Sequence, residues 1–298
     1  MARNPSFLKR IRHVLEYVLL KLYLALCILV GAKNASNMGG VVGRFIGSLL
    51  GKSRAVVKRI EAHLDDADGQ EIMLGMWDNL GRVLSEYPHL RHIAKHKVHI
   101  ENPKLIKKII DQGKPIMFIG GHCANWELQT MLIFTHYGIG INALYRPPNN
   151  PYVDKALQAM RKIDAHTNTI PKSATGAKEL IKAMRDKKSI GFLFDQKFNK
   201  GEAIPLLGEE AMSYTSIIPL VQKYDYVLFP FHIKRDKQDP TKFIFRAEHP
   251  IDLFNQKGEA RSSLAVFTDM HELLEKWIKE TPAEWLWLHN RWGKPKRR

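Results

Sequence analysis

Residues 115–127, with the sequence PIMFIGGHCANWE, decide the fold of this chain. The apolar run 115–119 ends at Gly120-Gly121, and its length and punctuation are typical of a buried strand. Asn125 favours the start of a helix, because its side chain can accept hydrogen bonds from backbone N–H groups that the first turn leaves free. The stretch therefore predicts a strand, a tight turn that carries His122, and a helix.

The chain continues this alternation of strands and helices to its end. Further strands are predicted over residues 139–145, 189–194, 227–233 and 243–248, and helices over residues 152–163, 177–186, 216–224 and 262–280. Such alternation predicts an α/β fold with a mostly parallel sheet flanked by helices. His122, Arg146 and Asp195 each follow the end of a predicted strand. Because ligands of open α/β sheets bind at that edge, we expect these three residues to share one site.

The N-terminal segment is apolar with a basic flank. An apolar run over residues 14–31 follows several arginines and lysines and is interrupted by Glu16 and Lys21. Its longest uncharged part, residues 22–32, is shorter than the roughly 20 residues that a membrane span needs. We therefore predict a membrane-associated helix over residues 1–33. It is either a short anchor or a helix lying in the interface with its basic side chains at the headgroups, and a buried soluble helix is the third alternative.

The rest of the chain is predicted to form one domain over residues 34–298. Its first part, residues 34–100, reads as a helical lead-in with breaks after residues 50 and 64, and residues 101–298 form the α/β core. The formal net charge of +16 fits nucleic acid, an anionic membrane or an acidic protein as a partner and does not choose among them. The two cysteines, Cys27 and Cys123, have neither a disulfide nor a metal-binding spacing.

His122 and Glu127 are the candidate catalytic residues. Transfer to a hydroxyl group needs a base that takes the hydroxyl proton, and histidine is the usual one. A carboxylate bonded to the other ring nitrogen fixes the tautomer, and we predict that Glu127, in the first helical turn, has this role. A surface or capping pair is the ordinary alternative for such a spacing. No second ligand motif accompanies the histidine, so no metal is expected.

Several motifs together resemble the bacterial lipid A biosynthesis (lauroyl/myristoyl) acyltransferase family, within the wider glycerolipid acyltransferases with a His-x4-Asp/Glu motif. The resemblance rests on residues 120–127, 145–147, 195–196, 77–82, 204–208 and 282–291, in that family's order and spacing. The sequence departs from the family pattern in having leucines at positions 206 and 207, Ser213 where threonine is commoner, and Asn290 in the terminal basic cluster. These departures leave acyl-chain length and acceptor identity open.

The resemblance implies direct acyl transfer from acyl carrier protein to a hydroxyl group of a lipid A precursor, at the cytoplasmic face of the bacterial inner membrane. It implies no cofactor beyond the thioester co-substrate and no nucleic acid as partner. Arg146 is a candidate for binding phosphate or stabilising the thioester oxygen, with a strand-end salt bridge as the alternative. Asp195 is a candidate either for supporting the residues that contact the substrate or for orienting the acceptor, with a helix or turn cap as the alternative. Gln196 is a candidate for donating a hydrogen bond in the site.

Two other functions remain open from the sequence. The first is acylation of a glycerophospholipid or another lysolipid, with either coenzyme A or acyl carrier protein as the carrier of the acyl group. The second is a basic membrane-binding protein without catalysis, against which the strand–Gly-Gly–His context of His122 argues.

Overall fold

The computed structural model describes residues 7–162 and 167–293. Within them the α-helices are α1 Phe7–Leu49, α2 Ser53–His63, α3 Gly69–Glu86, α4 Leu90–His96, α5 Pro103–Ile110, α6 Leu128–Tyr137, α7 Pro151–Arg161, α8 Ala174–Arg185, α9 Ile218–Lys223 and α10 Ser263–Glu280. The strands are β1 Val98–Glu101, β2 Ile116–Gly120, β3 Ile141–Tyr145, β4 Asn168–Pro171, β5 Ser189–Leu193, β6 Glu202–Leu206, β7 Glu209–Ser213, β8 Val227–Arg235 and β9 Phe243–Ala247.

Seven of these strands form one twisted sheet in the order β1-β9-β8-β2-β5-β3-β4, and β6 and β7 form a separate hairpin. The five strands from β8 to β4 are mutually parallel, whereas β8 and β9 pair antiparallel. Helices cover both faces, and apolar side chains pack into one cluster on each side of the sheet. The predicted α/β fold, with a mostly parallel sheet between helices, is confirmed.

Several elements differ from the sequence-based prediction. Residues 34–100 are not wholly helical, because β1 lies at their end and pairs with β9. Strand β4, helix α5 and the β6–β7 hairpin were not predicted. Helix α6 begins at Leu128 rather than at Asn125, so Glu127 is the residue just before the helix. The predicted helix over residues 152–163 corresponds to α7, and Ile163 lies outside the described residues.

Helix α1 runs across the domain boundary predicted at residue 33, with a kink at Gly31, where φ is +80°. Its second half packs closely on α3: a Cβ atom at Gly43 would lie 2.2 Å from the carbonyl oxygen of Trp77. Its first half exposes an apolar face on which Leu22 and Leu29 are 64% and 83% exposed. The helix is long and apolar enough to cross a bilayer, which supports the predicted membrane association.

Candidate active site

The order of the strands brings the polar residues at their carboxyl ends together. Gly120 of β2 is paired with Leu193 of β5. His122 and Asp195 each lie two residues after their member of this pair, so both leave the sheet at the same level. Tyr145 of β3 is paired with Pro171 of β4, so Arg146 and Lys172 both follow directly after that pair. Because β2, β5, β3 and β4 are neighbours, one edge of the sheet carries all four polar side chains.

His122 is held by Asp195. Its Nδ1 lies 2.6 Å from Asp195 Oδ1, and its backbone N–H donates to Oδ2 of the same carboxylate over 2.7 Å. Trp285 Nε1 also donates to Oδ2, over 2.9 Å. Asp195 is 1% exposed, and burial by itself would raise its pKa, but the interactions with His122 and Trp285 outweigh burial and hold the pKa well below its usual range. An ionised carboxylate only accepts, so Nδ1 carries a proton and Nε2 is free to act as a base.

The prediction that Glu127 bonds to the histidine ring is wrong for this structure. Glu127 forms a bidentate ion pair with Arg161, with Nε–Oε2 and Nη2–Oε1 distances of 2.7 Å each. Burial would raise the pKa of Glu127, but the charge of Arg161 outweighs it and lowers the pKa. The turn after β2 directs Glu127 towards α7, whereas Asp195 comes from the neighbouring strand and lies beside the ring. Glu127 nevertheless lines the same cavity as His122.

Gln196 and Lys172 lie on the Nε2 side of the His122 ring, opposite the contact with Asp195. Lys172 Nζ donates to Gln196 Oε1 over 2.6 Å, which turns the amide nitrogen towards the histidine, 3.3 Å from His122 Nε2. The Lys172 residue is exposed, but desolvation by the surrounding protein and the charge of Arg146 outweigh the charge of Asp195 and lower the pKa of Lys172 to about 8. Neither Lys172 nor Arg146 has a carboxylate partner among the residues that the structure describes. Within the described part of the chain, no carboxylate therefore neutralises either cation at the cavities that they line.

Two cavities meet at this edge. The first, about 370 Å³, contains His122, Glu127 and Arg161 and continues between apolar side chains of β2, β3, β8 and α6, namely Phe118, Ile133, Ile141, Ala143 and Phe231. The second, about 660 Å³, lies beside α8 and contains Phe198, Tyr214 and His289. Arg146, Lys172 and Gln196 line both cavities. Volumes of this size are typical of small-molecule sites, and an apolar end suits a hydrocarbon chain.

The C-terminal segment completes the site, a contribution that the sequence analysis did not predict. Trp285 is 1% exposed and holds Asp195, and the His289 ring lies with its centroid 5.5 Å from that of His122. Burial, followed by the influence of His122, lowers the pKa of His289 to about 4. His289 is therefore neutral at physiological pH, and the positive charge of the site comes from lysine and arginine side chains, Arg146 and Lys172 among them.

Cys123 is buried and lines neither cavity, and its surroundings disfavour the thiolate that a nucleophile needs. Burial, reinforced by the charge of Asp195, raises the pKa of the thiol well above its ordinary value, and a thiol must be ionised to attack. Across residues 7–162 and 167–293, no group of three His, Cys, Asp or Glu side chains is placed to hold a metal ion.

The fold and the site together define a class: an α/β protein in which a histidine, whose ring is fixed by a buried aspartate at the carboxyl edge of the sheet, faces a cavity with an apolar end. The chain belongs to the bacterial lipid A biosynthesis acyltransferase family, whose model matches residues 4–294. A lipid A biosynthesis acyltransferase of Haemophilus influenzae is 25% identical over 186 residues, which cover 61% of this chain and 56% of that relative. The chain thus matches little more than half the length of this relative.

Proposed function

We propose that the protein transfers a fatty acyl chain from acyl carrier protein to a hydroxyl group of a lipid A precursor, at the cytoplasmic face of the bacterial inner membrane. The observation that carries the proposal is the placement of His122, whose Nδ1 is held by Asp195 and whose Nε2 faces a cavity with an apolar end. The family of the chain supports the same chemistry.

The proton transfer follows from the hydrogen bonds of the ring. The acceptor hydroxyl gives its proton to His122 Nε2 while its oxygen attacks the thioester carbonyl carbon. The tetrahedral intermediate collapses, the carbon–sulfur bond breaks, and the departing sulfur takes the proton back from Nε2. Asp195 stabilises the imidazolium between these two steps and keeps the ring in one orientation, which is the role that the sequence analysis assigned to Glu127.

The negative charge that develops on the thioester oxygen needs donors close to His122. The Gln196 amide nitrogen, 3.3 Å from Nε2, is directed into this space because Lys172 holds the amide oxygen. Such preoriented donors are worth most in a site that excludes water. Arg161 is a further candidate, since its Nη1 is buried without a hydrogen-bond partner among the described residues and the side chain lines the cavity.

The charge around the cavities favours a phosphorylated acceptor and an acidic carrier. Within the described part of the chain, Glu127 is the one carboxylate that lines either cavity, and Arg161 already neutralises it. The lining cations are Arg146, Arg161, Lys162, Lys172 and Lys197. Arginine and lysine bind phosphate well, and a positive surface speeds encounter with an acidic protein. The exposed apolar face of α1 would keep this site beside its lipid substrate.

The test is acyl transfer by the purified full chain, with acyl carrier protein thioester as donor and a phosphorylated disaccharide lipid as acceptor, followed by mass spectrometry of the product. His122→Ala should lower turnover at least about 100-fold without unfolding the protein. His99→Ala, which removes an exposed histidine on β1, is the matched control and should leave turnover unchanged. Near-normal turnover by folded His122→Ala protein would contradict the mechanism.

The same assay separates the alternatives. A lysophospholipid or glycerophospholipid acceptor that is used faster than the lipid A precursor would favour the phospholipid function, and acyl coenzyme A that outperforms the carrier protein would reassign the donor. A membrane-binding protein without catalysis would consume no thioester with any acceptor. Comparison of lipid A from cells with and without the gene tests the acceptor independently.

A further inference from the structure

The loop that carries His122 has a strained backbone. Two residues after the histidine, Ala124 has a φ of +45°, in the left-handed region that residues other than glycine rarely adopt. Ala124 is 0% exposed, so protein encloses this part of the loop on every side. Strained residues persist where neighbouring contacts over-determine them, and they cluster at functional sites. The contacts of this loop therefore bear directly on how His122 is presented.

Two segments distant in sequence hold the loop. Asn79 of α3 donates through Nδ2 to the carbonyl oxygen of Ala124 over 3.0 Å and to that of Glu284 over 3.1 Å. The Ala124 N–H in turn donates to the Glu284 carbonyl over 3.0 Å, and Leu286 N–H donates to the His122 carbonyl over 3.1 Å. One buried asparagine thus joins the catalytic loop to the C-terminal segment that supplies Trp285.

A buried ion pair directs the asparagines. Glu86 of α3 and Arg235 of β8 are 0% and 5% exposed and are joined by contacts of 2.7 and 3.1 Å. Arg235 Nε donates to Asn79 Oδ1 over 2.7 Å, which turns the Asn79 amide nitrogen towards Ala124. Glu86 Oε2 accepts from Asn125 Nδ2 over 2.8 Å, which leaves Asn125 Oδ1 to accept from the Glu127 N–H.

This ion pair stays charged, although it is fully desolvated. Burial would raise the pKa of Glu86, but the charge and hydrogen bonds of Arg235 lower it below the ordinary value. A buried pair of this kind adds little net stability, because the cost of desolvation offsets the attraction between its members. The pair instead determines how the two asparagine amides are oriented, with Arg235 holding Asn79 and Glu86 holding Asn125. The oriented amides then hold the backbone on either side of Ala124 by hydrogen bonds.

We infer that Glu86, Arg235, Asn79 and Asn125 form a positioning unit, which holds the loop of residues 121–125 so that His122 stays aligned with Asp195 and the cavity. The inference rests on the proposed function for its catalytic consequence. It gives a role to Asn79, which lies in the segment 77–82 that the sequence analysis singled out and that has no contact with the cavities.

The test compares Asn79→Ala and Glu86→Gln with Asn142→Ala in the full-length protein. Asn142 is a matched control, because it is 6% exposed and donates to a backbone carbonyl, that of Ser189, away from the loop. For each variant we would measure thermal stability, the kinetic constants for donor and acceptor, and the downfield proton resonance of the His122–Asp195 hydrogen bond. His122→Gln protein, which lacks the resonance, assigns it.

Asn79→Ala and Glu86→Gln should each shift or lose the resonance and lower kcat at least about tenfold. Their KM values should stay within about twofold of wild type, because misplacement of a base slows chemistry rather than binding. Asn142→Ala should keep the resonance and kcat at a similar cost in thermal stability. If Glu86→Gln fails to fold, Asn79→Ala carries the test, since it leaves the ion pair in place.

An unchanged resonance and unchanged kcat in folded Asn79→Ala protein would overturn the inference. So would a lost resonance with unchanged turnover, because alignment of His122 would then not matter for transfer. Absence of acyl transfer in the wild-type protein is a different result: it would contradict the proposed function, and the resonance alone would then decide whether the loop is positioned by these residues.

Discussion

The substitution Asp195→Asn tests the arrangement of the site most directly. Asp195 Oδ2 accepts from two N–H groups, those of the His122 backbone and the Trp285 ring, whereas Oδ1 faces His122 Nδ1. Asparagine has one oxygen, and the two N–H donors will keep it at the Oδ2 position. The amide NH2 must then face Nδ1, so Nδ1 becomes the acceptor and the proton moves to Nε2. A ring protonated at Nε2 cannot act as the base.

The expected loss follows from that tautomer. Replacing the carboxylate beside a catalytic histidine by an amide lowers kcat about 10⁴-fold where the geometry is otherwise intact. The variant should fold, because the amide in this orientation remakes the contacts with the His122 N–H, the Trp285 ring and Nδ1. The contact that is lost is the one at Nε2, which once protonated no longer accepts from the Gln196 amide nitrogen. The assay is the initial rate of transfer from acyl carrier protein thioester, on protein that shows a cooperative thermal transition.

Glu127→Gln is the comparison that decides between the two carboxylates. It weakens the ion pair with Arg161 and leaves the contact of Asp195 with the ring intact, so we expect a loss worth about 1–3 kcal/mol, up to roughly a hundredfold. If Asp195→Asn protein retains turnover within tenfold of wild type while Glu127→Gln loses several thousandfold, Glu127 is the partner of His122 in the working enzyme, and the assignment of that role to Asp195 is refuted.

Three further outcomes concern the cationic edge and helix α1. Arg146→Ala should lower kcat/KM several-fold to a hundredfold at every salt concentration, because roughly 1–3 kcal/mol of charged hydrogen bonding is lost. Arg185→Ala on α8 is the control and should have no effect. An Arg146→Ala defect that vanishes in high salt would contradict this expectation. Lys172 loses its charge above its pKa of about 8, so Lys172→Arg should retain activity at pH 9 where wild type declines, and identical pH profiles would exclude a role for the charge. Deletion of residues 1–33 should release the protein from membranes, and sedimentation of the truncated chain with membranes after a high-salt wash would place the anchor elsewhere.

The strand that leads to His122 could be predicted because its signal is local. The apolar run ends at two glycines, and the whole of β2 is buried as such a run requires. Strand β4 has no such signal: residues 168–171 read NTIP, which combines polar residues with a proline, as short edge strands often do. Lys172 follows that strand as Arg146 follows β3, so the missed strand also hid the second cation of the site.

The partner of His122 could not be found from spacing along the chain. A histidine and a carboxylate five residues apart suggest a pair, but Asp195 lies 73 residues away and reaches the ring because β5 is the neighbour of β2. Strand order is a tertiary property, and the sequence predicted only that His122 and Asp195 share an edge. The positions of Trp285 and Asn79 depend in the same way on how distant segments pack around the loop.

Glu284, which lies beside the loop of residues 121–125, should make the stability of the protein depend on pH. Burial raises the pKa of its carboxyl group from 4.5 to about 7, and the N–H of Arg235 and the nearby positive charges offset only part of this. Between pH 4.5 and pH 7 the folded state binds the Glu284 proton more tightly than the unfolded state does, and this difference stabilises the folded state. The stabilisation is therefore fully present below pH 4.5 and is lost as the pH rises through 7, at a cost of roughly 3 kcal/mol.

Glu284→Gln removes this cost, because the amide keeps an acceptor for Arg235 N–H and never ionises. The variant should unfold at a higher temperature than wild type at pH 8, and the difference should shrink towards pH 5. Glu280→Gln is the opposite case: burial would raise the pKa of Glu280, but Lys234 and Arg246 lower it to about 2, so its charge stabilises the fold at neutral pH and the substitution should destabilise it there. The measurement is the unfolding temperature of wild type and both variants from pH 5 to pH 8. If both substitutions shift the unfolding temperature at pH 8 in the same direction, burial does not control the charge of Glu284.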